Sequence, residues 1–246
     1  MAMISTLVVR ARAVEVAATI GKALIALTVF FTVTAGYAQL QAGRLDDLAS
    51  QPLPNSVDSS CALWFVGSSS MRRWTTLERD MRPWTAHNRS IGGATLTELS
   101  GRFAVERSPT PPRAVVFYAG ENDLAYGVPD ATVTNEFRTF LDRKTATLGK
   151  APVFFVSVKP SPTRWRLRPA QERFNEAVQR LAATRDDLFY VDIVPDLFRG
   201  GRLGPFYDPD GIHMNEAGYG VWTRAVRSAL RDHLPVELVQ ACERAV

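Results

Sequence analysis

Five short runs, each closing on a turn of small and polar residues, constrain this chain most. They are Ala62–Val66, Thr85–Ser90, Arg113–Tyr118, Pro152–Val158 and Leu188–Ile193; the second is the least apolar. Between them, apolar residues recur at three- and four-residue spacing, as in Phe137, Phe140 and Leu141, or Phe174, Val178 and Leu181. A continuous apolar run of this length is the pattern of a strand covered on both faces. Such strands alternating with helices give a parallel sheet with right-handed crossovers. The expected fold is therefore α/β: a three-layer α/β/α sandwich of flavodoxin-like type around a five-stranded parallel sheet. Helices are expected over residues 70–81, 95–105, 130–147, 168–184 and 215–233.

Such a sheet brings the loops at the carboxyl ends of its strands to one crevice. Here those loops contain Gly67-Ser68-Ser69-Ser70, Gly92-Gly93-Ala94-Thr95, Gly120-Glu121-Asn122-Asp123, Lys159-Pro160-Ser161-Pro162 and Asp210-Gly211-Ile212-His213. A serine hydroxyl is a weak nucleophile unless a base takes its proton and a third group orients that base. Ser69 follows a strand and opens a helix, where the N–H groups face an incoming anion. His213 lies in a strand-end loop, with Asp210 three residues earlier and Gly211 allowing a tight turn. Gly93 lets a backbone N–H approach a ligand, and the Asn122 amide can donate to an oxyanion. Each signal has a plain alternative. Ser68–Ser70 could cap a helix, Gly92–Gly93 and Asn122 could be turn residues, and the His213 loop could serve only an N-cap at Asn215. Their joint placement at different strand ends favours acyl-transfer chemistry.

These blocks, in this order over residues 61–233, resemble those of the SGNH (GDSL-type) hydrolase family. The resemblance implies Ser69 as nucleophile, His213 as base and Asp210 as its orienting carboxylate. It implies an oxyanion hole from the Ser69 and Gly93 N–H groups and the Asn122 side chain. Ser68 stands where the family usually has Asp, and this GSSS form resembles a subgroup of the family. The implied activity is that of a serine esterase acting on a lipid, lysophospholipid, short-chain or O-acetyl ester. The alternative is a non-catalytic exported domain of the same fold that binds a glycan or lipid. Lys159, Arg164 and Trp165, in the fifth loop, are expected to line the substrate pocket; a rigid surface turn with a packed Trp165 is the alternative.

The first 38 residues place Arg10, Arg12 and Lys22 before the apolar run Ala23–Ala35, followed by small residues at Gly36 and Ala38. That is the layout of a secretory signal. The run is shorter than the roughly 20 residues of a membrane span. Read as an uncleaved anchor, residues 13–38 would hold the protein at a membrane. Either reading places the domain outside the cytoplasm. Residues 39–60, rich in Pro, Ser and Asn towards their end, are expected to be a tether, with the hydrolase domain over 61–246. The two cysteines, Cys61 and Cys242, could pair after export. The closer expectation is a buried thiol at Cys61 and a free one in the tail. With three histidines and no closely spaced cysteines, no zinc pattern exists. No metal or cofactor is expected, and His87 and His233 are read as surface or packing residues. A formal net charge of +4 with no basic stripe excludes the usual nucleic-acid footprint.

Overall fold

The computed structural model describes residues 18–34, 59–105 and 111–244. The chain divides into two units, Met1–Gln51 and Pro52–Val246. In the first, residues 18–34 form helix α1, with exposed apolar side chains including Phe30, Phe31 and Val33. Among the described residues no helix is long and apolar enough to cross a membrane. The rest of the expected signal or anchor, and nearly all of the tether, lie outside the described residues.

The second unit is built on β1 (Ala62–Gly67), β2 (Thr85–Asn88), β3 (Ala114–Tyr118), β4 (Val153–Val156) and β5 (Leu188–Val191). All pair in parallel, in the order β2-β1-β3-β4-β5. The helices are α2 (Ser69–Arg72), α3 (Leu77–Asp80), α4 (Leu96–Val105), α5 (Glu121–Ala125), α6 (Asp130–Leu148), α7 (Arg168–Ala182), α8 (Glu216–His233) and α9 (Val236–Arg244). Strand side chains alternate between two helical layers. Phe117 and Phe155 meet Phe137 and Phe140 of α6 and Phe174 of α7, with Phe117 and Phe140 centroids 4.1 Å apart. On the opposite face Tyr118 meets Trp222 of α8, and Trp222 meets Trp74 edge-on. Both layers bury their aromatic rings, which gives the expected three-layer α/β/α sandwich.

Four details depart from the sequence expectation or extend it. The helix expected over residues 70–81 is broken into α2 and α3, because Trp74 turns into the core. The Asp80 carboxylate accepts from its indole Nε1 at 2.8 Å and from Thr76, closing the turn between the helices. The long loop after β5 holds a small antiparallel pair, β6 (Phe198–Arg199) and β7 (Arg202–Leu203). The short helix α5 follows β3 directly, which the sequence reading did not anticipate. The tail forms α9, and Cys242 is joined to Cys61 in a disulfide. The expectation of two separate thiols is thus corrected: α9 packs against the short 3-10 turn Ser59–Cys61 that leads into β1, so the chain's two ends of the domain meet. His87 is half-buried, and burial lowers its pKa. The His233 ring stacks on Phe189 at 4.4 Å.

Candidate active site

The end of β1 aims Ser69 into the crevice. The Ser68 N–H donates to the Tyr118 carbonyl at 3.0 Å, which locks the turn to the end of β3. Ser68 occupies the N-cap position of α2 but makes no side-chain capping bond, so capping does not account for it. Ser69 is the first residue of α2, where a backbone N–H has no acceptor within the helix. Its hydroxyl lies 2.8 Å from His213 Nε2. His213 Nδ1 lies 2.6 Å from Asp210 Oδ2. A carboxylate can only accept, so the Nδ1 proton belongs to this contact and Nε2 is left to accept from the serine.

Asp210 is held by its own turn. Its Oδ1 accepts the Ile212 and His213 N–H groups at 2.8 and 2.9 Å. Gly211, at φ +65°, makes that turn possible, and a Cβ there would collide with Thr163. Burial pushes the Asp210 carboxyl up. The hydrogen bonds from His213 and the two N–H groups outweigh this and hold it well below the usual carboxylate range. Arg73 adds a guanidinium 3.1 Å from Oδ2. Asn215 does cap α8, accepting from the Gly218 N–H at 3.0 Å, and it does so without involving His213.

The second and third loops supply donors beside the serine. Arg89 and Ile91 donate to Phe65 and Gly67, drawing the Gly92–Gly93 segment along the end of β1. Gly93 has φ +74°, and its N–H meets no acceptor among the described residues. Asn122 is buried in α5. Its Nδ2 donates to the Ala94 carbonyl at 3.0 Å, tying it to the Gly93 turn. Its Oδ1 accepts from Arg164 Nη1 at 3.1 Å. The next residue, Asp123, accepts the Leu96 N–H and so anchors the start of α4; burial raises its pKa.

The fifth loop divides. Lys159 does not line a pocket: it is fully buried. Its Nζ donates to the Ile212 carbonyl at 2.7 Å and meets Glu121 Oε2 at 3.2 Å, under the rings of Tyr118 and Tyr207. Burial is the main cause that lowers its pKa. Arg164 is half-buried and pairs with Glu121 Oε1 at 3.2 Å. Trp165 is open to solvent at 43% exposure, carries the Arg168 guanidinium 5.0 Å from its ring, and edges a cleft of about 400 Å³.

The sequence reading missed Glu121, which also accepts from the Tyr118 hydroxyl, and Arg73. The signal for Glu121 was available: an acid in one strand-end loop and a lysine in the next. Among the described residues no three His, Cys, Asp or Glu side chains are grouped as metal ligands.

Comparison with known proteins bears on the fold and the family. A GDSL-like lipase from Bacteroides thetaiotaomicron is 21% identical, covering 86% of this chain and 98% of its own, with a TM-score of 0.58. A lipase/acylhydrolase from Enterococcus faecalis is 17% identical, covering 71% and 97%, with a TM-score of 0.60. A lipolytic protein of the G-D-S-L family from Veillonella parvula is 16% identical, covering 68% and 96%, with a TM-score of 0.59. These likenesses show the shared fold. No curated protein sequence matches. The GDSL-like lipase/acylhydrolase family profile matches residues 58–221, and the chain belongs to that family of ester-hydrolysing proteins.

Proposed function

We propose that this protein is an exported serine esterase that works through an acyl-enzyme on Ser69. The observation that carries the reading is the unbroken chain of contacts from Asp210 through His213 to the Ser69 hydroxyl. In the first step Ser69 Oγ bonds to the ester carbonyl carbon while His213 Nε2 takes the hydroxyl proton. The carbonyl oxygen gains the negative charge and is received by the Ser69 and Gly93 N–H groups and Asn122 Nδ2. Collapse breaks the ester C–O bond, and His213 returns its proton to the departing alcohol. A water then attacks the acyl carbon, giving a proton to His213, and the acid leaves as the serine recovers its hydrogen. Asp210 holds the Nδ1 proton and stabilises the imidazolium throughout.

Trp165, exposed beside a cleft, supports a leaving group with a flat face such as a sugar, and an O-acetylated glycan or a lipid ester fits an extracytoplasmic location. The basic-then-apolar N-terminus and the Cys61–Cys242 bond both support export. The test is hydrolysis of p-nitrophenyl esters of increasing acyl length by the wild-type chain and Ser69→Ala. Turnover confined to the wild type is expected, and its chain-length optimum separates acetyl from lipid substrates. Equal turnover by Ser69→Ala would rule the reading out.

A further inference from the structure

The reaction above leaves Arg164 without a part, although it is wired to one of the groups that the reaction uses. Its Nη1 lies 3.1 Å from Asn122 Oδ1 and 3.2 Å from Glu121 Oε1. The other end of the same amide donates to the Ala94 carbonyl at 3.0 Å. A side-chain amide can turn end for end with almost no change in shape. Here that turn would aim N–H groups at a cation and an oxygen at a carbonyl oxygen. The two contacts therefore admit one orientation, and the second Nδ2 hydrogen has no protein partner among the described residues. A cation on Oδ1 also polarises the amide and strengthens its N–H as a donor. Glu121 fixes Arg164 in turn, being 2% exposed and held by Lys159 and Tyr118. One carboxylate shared by two cations formally leaves one positive charge behind the amide, where it favours a developing oxyanion.

We propose that Arg164 is a positioning residue of the oxyanion hole, acting through Asn122 by setting the orientation and donor strength of its amide. This rests on the esterase reading above. The test uses the full chain and a fluorophosphonate. In this reaction Ser69 Oγ bonds to phosphorus, fluoride leaves, His213 takes the hydroxyl proton, and the P=O oxygen sits where the ester oxyanion would. The rate of adduct formation on Ser69 is followed by mass spectrometry for wild type, Arg164→Met, Asn122→Ala and the double variant, with unfolding midpoints measured alongside. Arg164→Met should slow the reaction about tenfold or more. The double variant should react no more slowly than Asn122→Ala alone, because Arg164 then has nothing to act through. Multiplying losses in the double variant would overturn the proposal, as would an Arg164→Met rate equal to wild type. If Arg164→Met does not fold, the same cycle with Arg164→Lys decides, since a displaced ammonium should still slow only the Asn122-containing protein. Absence of any wild-type adduct would remove the esterase reading itself, and the proposal with it, which separates that failure from the others.

Discussion

At the scale of single residues, the site depends on who owns the proton on His213. Asp210 faces three donors from its own turn and ring partner, and Arg73 from outside. A neutral amide in its place could present an N–H to Nδ1 and leave the imidazole with its proton on the wrong nitrogen. Asp210→Asn should therefore lower kcat by about 10⁴, with KM little changed and the unfolding midpoint lowered, because the fold favours the ionised carboxylate. Steady-state kinetics with a p-nitrophenyl ester check this. Asn122→Ala should lower kcat by about 10²–10³, since its donor matters most once charge has moved to oxygen. Ser69 was legible in the sequence because it sits where a recognisable strand has just ended, and Asp210 and His213 because they lie in the loop that leads from the last strand of the sheet into the last long helix. Lys159 sits at an equivalent position, yet its side chain turns inward to Ile212 and Glu121. Nothing in Val158-Lys159-Pro160 tells a buried lysine from an exposed one. That choice is made by a carboxylate from another loop.

At the scale of elements, the structure depends on junctions far from the site. Lys144 of α6 is fully buried and donates to the Ala151 carbonyl at 3.0 Å. It also meets Asp187, just before β5, at 3.0 Å. Hydrogen bonding from Arg185, helped by Lys144, lowers the Asp187 pKa from 3.8 to about 2 against the opposing effect of burial. A folded-state pKa below the unfolded one means stabilisation that is complete above about pH 4 and lost as pH falls through about 2. Asp187→Asn should cost about 3 kcal/mol at neutral pH, because a buried ammonium loses its counter-charge. The gap to wild type should narrow between about pH 4 and 2, as read from urea midpoints across that range. The strands and long helices could be read from their periodicities. The break between α2 and α3 could not, because residues 70–81 suit one continuous helix locally. It is Trp74, drawn into the core against Trp222 and Tyr219, that ends α2 early.

At the scale of the whole molecule, the Cys61–Cys242 bond joins the residue before β1 to the last turn of α9, across 181 positions of sequence. Neither cysteine shows from its neighbours in sequence that they meet, since this depends on where the tail comes to rest after α8. Replacing both with alanine should lower unfolding stability by about 2–5 kcal/mol, measured against the oxidised chain, while esterase activity at moderate temperature is retained. The same sandwich carries the strand-end loops to one crevice, where the proposed chemistry passes through a covalent bond to Ser69. The most direct measurement is the intact mass of the full chain, quenched in acid within the first turnovers on p-nitrophenyl acetate, followed by peptide mapping. An acetyl group is expected on the peptide carrying Ser69, released on further incubation and absent from Ser69→Ala. Hydrolysis that proceeds with no acetyl group on Ser69, or with the group on another residue, would contradict the proposed acyl-enzyme.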